Sequence, residues 1–453
     1  MKKSLVALAV LAATGAYAQS SVTLYGIVEA TTDIGYNKNT DTRTTVNNFN
    51  AGNVQTGTSL TPTTVRQKNN FRVQDGSDQG TGTSRVGFRG TEDLGGGLKA
   101  NFVLEMGLRI DDGCTTLTAN GGCDNGGNSA NSGGSTFGRN AWGGLSGSFG
   151  EVRVGRQVLG SFGVQANSAA AGSSLGLYEV SAAQYLPMGG VRFSNAIRYL
   201  SPNFGGFTGS LMLAAPETPG ATSTATTAGL TNSQTSRRTG VDLALEYANG
   251  PAYVGFGYNR RDTGNVTAST AGVSTVIASP GVANGYTLGG AYDFGVVKPF
   301  VNYTRIRTES TGSTIAPIGF VSGANVSNAN ARALSIGLRA PVGAFTVITG
   351  FGRVNTDTNS GNVATTAGNV SSFTSTAQQE RRDAFQLGAQ YALSKRTLVE
   401  ANYGYTRLRT NSKADLTTNG LPTLPGGIGG RQERFTDANE RISAFNVGLK
   451  HSF

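Results

Sequence analysis

Apolar and polar residues alternate one by one along much of this chain. Residues 445–453, FNVGLKHSF, show the pattern: the odd-numbered positions hold Phe, Val, Leu, His and Phe, and the even-numbered positions hold Asn, Gly, Lys and Ser. Successive side chains of a β-strand point to opposite faces, so this segment is predicted to be a strand with one largely apolar face. Outside the first 18 residues, no segment sustains the apolar spacing of an amphipathic helix.

The same alternation recurs from end to end and predicts sixteen strands. The predicted strands cover 21–36, 83–90, 98–109, 135–146, 150–157, 191–200, 207–215, 237–248, 252–261, 285–293, 297–308, 331–340, 344–354, 382–392, 396–409 and 441–453. With strands throughout, the chain is predicted to be all-β and a single domain over residues 19–453.

The connections between these strands alternate in length. Short turns fall at 92–97, 147–149, 201–206, 249–251, 294–296, 341–343 and 393–395. The intervening connections are long and rich in Ser, Thr, Asn and Gly, as in 37–82, 216–236, 262–284 and 410–440. Short turns at one rim and long loops at the other predict an up-and-down antiparallel β-barrel. An even number of strands puts both chain ends on the periplasmic side, and full closure leaves no unpaired backbone edge in lipid.

The two chain ends indicate where such a barrel resides. Residues 1–18 contain Lys2 and Lys3, a short apolar run and the small-residue sequence Ala16-Tyr17-Ala18. This is typical of a secretory signal peptide, with cleavage expected between Ala18 and Gln19. At the other end, a strand that stops on an aromatic residue is typical of outer-membrane barrels, so Phe453 is a candidate assembly signal.

Composition alone does not reveal a membrane protein. The chain has 66 glycines, 38% apolar residues and a net charge of +10, with a mean hydropathy of −0.19. A barrel strand exposes only alternate residues to lipid, which keeps the mean hydropathy low. The arginines are spaced singly along alternating strands rather than massed in a patch, and this argues against nucleic-acid binding.

Sixteen strands enclose a lumen wide enough for water, and alternation assigns side chains to it. In SRVGFRG the valine and phenylalanine point outward and the arginines inward, and VRFSNAIRY similarly places Phe193 outward. The charged residues assigned to the lumen in this way are Arg85, Arg89, Arg139, Glu151, Arg153, Arg192 and Arg198.

The two cysteines, Cys114 and Cys123, lie close together in a Gly/Asn-rich segment. In an exported protein this favours a disulfide that closes one surface loop. A metal site is the weaker alternative, because no histidine or third cysteine lies nearby. No cofactor is expected.

Several segments resemble the general diffusion porins of Gram-negative bacteria, and most closely the anion-selective porins of betaproteobacteria. The segments are SSVTLYGIVEA, SRVGFRGTEDLGGGLKANFVLE, TFGRNAWGGLSGSFGEVRVGRQ, NAIRYLSPNFGGF, YALSKRTLVEANYGY and VGLKHSF. The resemblance spans nearly the whole mature chain and lapses only in the long loops.

This resemblance implies a sixteen-stranded transmembrane barrel that assembles as a homotrimer, with its third long loop folded into the lumen as a constriction. That loop is expected at about residues 157–190. It carries Tyr178, Tyr185 and a single carboxylate, Glu179, and the family's constriction arginines correspond to Arg85, Arg139 and Arg192. Residues 110–134, which include both cysteines, correspond to the loop that reaches over a neighbouring barrel.

The expected function is therefore passive diffusion of small hydrophilic solutes and ions across the outer membrane, with anions favoured. Expected partners are outer-membrane lipid, lipopolysaccharide and the barrel assembly machinery. A channel specific for a small anionic solute, such as a phosphate or an organic acid, is the alternative, and an adhesin role of the outer loops is compatible with either. An enzyme is not expected, because the only histidine, His451, lies on the apolar face of the last strand.

Overall fold

The computed structural model is an all-β, closed antiparallel barrel with sixteen strand positions around its circumference. The structure describes residues 21–50, 54–75, 84–108, 110, 113, 136–170, 191–215, 223–227, 230–234, 239–262, 265–267, 276–279, 281–315, 324–366, 370–418 and 430–453. None of the helices in these ranges is long and apolar enough to cross a membrane.

The described residues form twenty-one strands and one α-helix. The strands in the first half are β1 (Ser21–Phe49), β2 (Gln55–Asp75), β3 (Arg85–Gly95), β4 (Leu98–Gly107), β5 (Asn140–Gly147), β6 (Gly150–Val158), β7 (Arg192–Leu200), β8 (Phe207–Ala214), β9 (Ser223–Thr227), β10 (Leu230–Gln234) and β11 (Gly240–Asn249). The others are β12 (Ala252–Asp262), β13 (Asn265–Thr267), β14 (Val276–Ser279), β15 (Gly281–Tyr292), β16 (Lys298–Ile315), β17 (Ala324–Val342), β18 (Phe345–Thr366), β19 (Val370–Ala392), β20 (Thr397–Thr418) and β21 (Gly430–Ser452). The helix α1 (Gly160–Asn167) follows β6.

The twenty-one strands occupy sixteen positions around the barrel, because some of them share a position or lie outside the main sheet. Both β2 and β3 pair with β1, the former with its upper part and the latter with residues 21–27, so together they form the second wall. Strands β9 and β10 form a separate two-stranded sheet, and β13 and β14 form a hairpin between β12 and β15. The sixteen predicted strands are therefore confirmed.

The barrel closes where its first and last strands meet. Strand β1 pairs antiparallel with β21 from Ile27 opposite Ser452 upward. At the lower end of this seam, Gly26 and Phe453 exchange two backbone hydrogen bonds, both of 3.1 Å. Gly26 leaves room for the Phe453 ring, because a Cβ at this position would come within 2.4 Å of the ring. The terminal aromatic residue thus completes the seam.

The outer face of the barrel is apolar and the inner face is polar. On β16, Val301 and Tyr303 are exposed on the outside, whereas Asn302 and Thr304 are buried on the inside. The same alternation gives exposed Phe445, Val447 and Leu449 on β21. Such a wall suits lipid on one side and water on the other.

The strands in the second half extend far beyond the membrane thickness. Strand β19 has 23 residues, roughly 75 Å of strand, against an apolar band about 25 Å tall. Much of residues 410–440 and 37–82, expected to be loop, is paired strand instead. Cross-strand pairing carries these Thr- and Ser-rich hairpins outward from the rim.

The third long loop turns into the lumen directly after β6, as predicted. Its described part contains α1, which packs on the inner faces of β8, β11, β12 and β15. Glycines on the wall make room for it, since a Cβ at Gly257 would come within 2.7 Å of Ser161, and one at Gly289 would come within 2.0 Å of Ser168. The full extent of this loop, 157–190, stays a prediction, because the structure describes it only as far as Ala170.

Candidate functional site

A carboxylate on the inner wall holds two of the predicted arginines. The Arg139 Nε donates a hydrogen bond of 2.7 Å to Glu105 Oε1, and both side chains are largely buried. The Arg85 Nε lies 3.8 Å from the other carboxylate oxygen, Oε2. The Tyr25 hydroxyl also donates to Oε2, at 2.9 Å. Strands β1, β3, β4 and the start of β5 converge on this one carboxylate.

Two more guanidinium groups lie close to this cluster. Arg192 begins β7, and its charge interacts with those of Arg139, Arg156 and Arg85. The Arg156 Nε donates 2.7 Å to the Gly138 carbonyl, next to Arg139, and its Nη1 donates 2.6 Å to the Ser194 hydroxyl. Four guanidinium groups thus lie in the neighbourhood of Glu105, and Glu29 is a second buried carboxylate that interacts with one of them, Arg85.

Alternation explains why most of these side chains meet inside the barrel. Tyr25 is on β1, Arg85 is on the paired strand β3, and Glu105 is on β4. Gly87, two residues after Arg85 on the same face of β3, lies opposite both Tyr25 and Glu105. Residues directly opposite each other on paired strands share a face. Gly87 provides the space, because a Cβ there would lie 2.7 Å from the Tyr25 ring.

The prediction that Phe193 faces lipid is wrong. Phe193 is only 5% exposed and packs inside with Leu159, Ala196 and Met212. The cause is a bulge: the pairing of β6 with β7 shifts by one residue after Gly155, and Asn195 has a φ of +52°. One extra residue reverses the alternation at Phe193, so the placement of the adjacent Arg192 in the cluster rests on its interactions with Arg139 and Arg85 and not on alternation.

The further predicted lumenal charges lie on the inner wall with local partners. The Arg89 guanidinium lies 5.3 Å from the centroid of the Tyr25 ring, and that of Arg153 lies 4.2 Å from the centroid of the Trp142 ring. Arg153 also donates 2.6 Å to Glu151. Arg198 donates to the Val158 carbonyl and the Ser210 hydroxyl, both at 3.0 Å, which ties it to the start of the third loop.

The helix α1 is held to its wall by polar contacts at both ends. At its N-terminus, the buried carboxylate of Asp242 accepts hydrogen bonds from the Gly160 amide at 2.7 Å, the Ser161 amide at 3.2 Å and the Ser161 hydroxyl. Near its other end, Asn302 donates 2.7 Å to the Ser168 hydroxyl. A negative charge at a helix N-terminus also complements the helix dipole.

Gln165 and Asn167 complete the attachment of α1. Gln165 donates 2.8 Å to the Thr304 hydroxyl, and Asn167 donates 3.1 Å to Glu246. Strands β11 and β16 therefore both contribute hydrogen-bond partners, which fix the described part of the third loop along one side of the lumen.

Sequence reasoning missed Glu105, Arg156 and Asp242. Glu105 had a readable signal: in LKANFVLEMG it alternates with Leu104 and shares a face with Asn101. Arg156 directly follows Gly155, where the shift in pairing interrupts the alternation of side chains between the two faces. The role of Asp242 depends on the path of a distant loop, which alternation does not give.

Some predicted residues lie outside the described ranges. These are the loop residues Tyr178, Glu179 and Tyr185, the cysteines Cys114 and Cys123, and the segment 1–20 with its expected cleavage site.

A sixteen-stranded barrel with an apolar outside, a charged inside and a loop folded into its lumen has the architecture of an outer-membrane channel protein. The comparisons with known proteins agree. A model of the family described as Gram-negative porin matches residues 4–411. Outer membrane porin protein 32 of Delftia acidovorans is 30% identical over all of both chains, and an outer membrane porin of Bordetella pertussis is 30% identical over 90% of this chain and 94% of its own.

The chain belongs to the Gram-negative porin family, and it is an outer-membrane porin. Among solved structures, the anion-selective porin from Comamonas acidovorans matches with 24% identity and a TM-score of 0.48, covering 96% of this chain and all of its own. Porins of this family conduct solutes through a water-filled lumen by passive diffusion.

Proposed function

We propose that this porin prefers anions, and that Arg85, Arg139 and Arg192 form the basic side of its constriction. The observation that carries the proposal is the charge imbalance on the inner wall, where these three arginines and Arg156 lie near two carboxylates, Glu105 and the buried Glu29 that interacts with Arg85. Two unit charges about 8 Å apart interact by about 2 kcal/mol at an effective dielectric constant near 20. An excess of two or more positive charges therefore favours anions in the narrow part of the pore.

The test is the reversal potential of the purified protein in a planar bilayer under a KCl gradient. The wild-type potential is expected to have the anion-selective sign, and replacement of all three arginines by glutamine is expected to reduce or reverse it. A matched control removes three cations from the outer face, Arg260, Arg307 and Lys413, and is expected to leave the potential unchanged. Unchanged selectivity of the lumenal variant contradicts the assignment.

The same recordings separate a general pore from one specific for a small anionic solute. A general pore gives a conductance that rises in proportion to salt concentration. A specific site gives conductance or solute flux that saturates, with phosphate or an organic acid competing with chloride. Proportional conductance is expected here.

The trimer and the loop disulfide belong to the same proposal. Resemblance to the family along the entire chain supports a homotrimer, which would give conductance steps of three and a trimer mass by analytical ultracentrifugation. Cys114 and Cys123 are proposed to form a disulfide in the loop between β4 and β5. Their alkylation only after reduction, measured by mass spectrometry, tests the pairing.

A further inference from the structure

The bulge at Asn195 interrupts the backbone pairing at the start of β7. Strand β8 pairs with β7 only from Ala196 to Leu200, and one further hydrogen bond joins the Ala215 amide to the Asn195 carbonyl. On the side of β8, the described backbone pairings therefore stop short of Arg192, where β7 begins. This open edge lies at a residue that is proposed to form part of the constriction.

A side chain from β12 reaches this edge. The Arg261 Nη2 donates a hydrogen bond of 2.9 Å to the carbonyl oxygen of Arg192. Strands β8 and β11 lie between β7 and β12 in the sheet, so the arginine reaches across two strands. A carbonyl group at a bulge lacks its usual strand partner, and a side-chain donor can take that place.

The ring of Phe193 supports the Arg261 guanidinium. The guanidinium carbon lies 4.8 Å from the centroid of this ring, which is a cation–π contact. The ring itself lies against Gly240, the residue of β11 directly opposite Arg261, since a Cβ at Gly240 would come within 2.4 Å of it. The inward turn of Phe193 at the bulge thus provides the surface on which Arg261 lies.

Arg261 faces the lumen. On β12, Asn259 donates to the helix α1 inside the barrel, and Arg261 follows two residues later on the same face. Between them, Arg260 is exposed on the outer face, where its Nε lies 3.8 Å from Asp262. Arg261 therefore belongs to the inner wall, beside the cluster around Glu105.

The contact with Arg261 fixes the residue that carries charge into that cluster. The charge of Arg192 interacts with that of Glu105, and such an interaction depends on the distance between the groups. On the side of β6, the Leu159 amide donates 3.0 Å to the Val191 carbonyl. With Arg261 on the other side, the start of β7 is held from both directions.

We propose that Arg261 is a positioning residue of the constriction. By holding the carbonyl of Arg192 and lying on the ring of Phe193, it keeps the Arg192 guanidinium in the basic wall. The inference rests on the proposed anion preference and on the role assigned there to Arg192. Arg261 then affects selectivity through the backbone of β7 and not through its own charge.

The experiment is a double-mutant cycle. The readout is the ratio of anion to cation permeability, obtained from the reversal potential of the purified protein in a planar bilayer under a KCl gradient. The cycle consists of Arg192→Gln, Arg261→Gln and the double variant. Phe193→Leu removes the aromatic surface and leaves every charge in place. Arg260→Gln is the matched control, because Arg260 adjoins Arg261 in the chain but faces outward.

Arg192→Gln is expected to lower the permeability ratio several-fold. Arg261→Gln is expected to lower it by about twofold, within the range of coupling between residues in contact. In the double variant, the loss of Arg261 is expected to add nothing, since the guanidinium that it positions is already absent. Phe193→Leu is expected to lower the ratio as Arg261→Gln does, and Arg260→Gln is expected to leave it unchanged.

Arg261→Lys replaces Arg261→Gln if the glutamine variant does not fold. Lysine keeps the charge but lacks the planar group that lies on the ring while it bonds the carbonyl. This variant is therefore also expected to lower the permeability ratio, although the charge of the lumen is unchanged.

The results distinguish a failure of the inference from a failure of the proposed function. An unchanged ratio for Arg192→Gln would contradict both. A lower ratio for Arg192→Gln with an unchanged ratio for Arg261→Gln would overturn the inference alone. If the two effects multiply in the double variant, or if Phe193→Leu leaves the ratio unchanged, Arg261 acts through its own charge and is not a positioning residue.

Discussion

At the scale of single residues, Glu105 determines how much arginine charge reaches the lumen. It accepts hydrogen bonds from Arg139 and Tyr25 and lies 3.8 Å from Arg85. Glu105→Gln is expected to raise the ratio of anion to cation permeability several-fold at 0.1 M salt, since one negative charge is removed from a site where screening is incomplete. The measurement is the reversal potential under a KCl gradient.

Glu309→Gln provides the control for this prediction. Glu309 is also a strand carboxylate bound to an arginine, but its partner Arg307 is exposed on the outside. Its replacement is expected to leave the reversal potential unchanged. A drop in anion preference on Glu105→Gln would mean that the released Arg139 leaves the lumen, and that Glu105 serves mainly to position it.

The residues of this wall also show what alternation can and cannot predict. The regular pairing of β3 with β1 and β4 brings Arg85 to the carboxylate of Glu105, on the face that alternation predicts for it. Alternation predicts the wrong face for Phe193, because the bulge at Asn195 arises from the pairing of β6 with β7. The sequence carries no local sign of that shift. Because bulges depend on how two strands pair, alternation in the sequence alone does not predict which way the side chains beside a bulge point.

At the scale of elements, α1 depends on a track of glycines along the inner wall. A Cβ at Gly257 would lie 2.7 Å from the Ser161 backbone, which cannot move without moving the helix. Gly257→Ala is therefore expected to displace α1 and to change the single-channel conductance. Gly143→Ala is the matched control, because a Cβ there would approach nothing closer than 3.9 Å. An unchanged conductance for Gly257→Ala would mean that α1 does not limit the pore.

The buried carboxylate of Asp242 makes a second prediction about the same helix. Asp242→Asn replaces a charged acceptor of three hydrogen bonds by an amide that can accept only part of them, and charged hydrogen bonds contribute about 1.5–3 kcal/mol each. Frequent switching between conductance levels is expected in single-channel records, together with a lower unfolding temperature.

Asp293→Asn serves as the control for Asp242→Asn. Asp293 lies on a short turn and bonds the amide of Gly295 at 2.8 Å, so its replacement is expected to leave both the current records and the unfolding temperature unchanged. Stable conductance without extra switching in both variants would show that the remaining contacts of α1 are sufficient to hold the helix in place.

Prediction from the sequence is most complete for the strands of the barrel. All sixteen walls were found, because lipid on one side and water on the other impose a strict period of two. Above the membrane that constraint disappears, and the upper parts of β16–β20 are rich in Thr, Ser and Asn. These strand parts are maintained by pairing with their neighbours, so alternation along the sequence predicts loops there instead.

At the scale of the whole molecule, the barrel exists only once its first and last strands join, and Phe453 lies at that junction. Its backbone exchanges two hydrogen bonds with Gly26, and its ring covers that glycine. Two roles are separable: stabilising the seam and serving as a signal for assembly in the cell. Phe453→Ala keeps the backbone bonds and removes the ring, so the refolded barrel is expected to lose only about 1–2 kcal/mol.

Phe445→Ala separates the two roles, since Phe445 is an outward aromatic of the same strand with similar exposure, 41% against 38%. Both variants are expected to refold in detergent with similar stability, as measured by urea unfolding. In cells, only Phe453→Ala is expected to deplete the folded barrel from the outer membrane, as measured by heat-modifiable mobility on gels. Equal depletion by both variants would mean that the cell senses the stability of the last strand, and that Phe453 acts through the seam it completes.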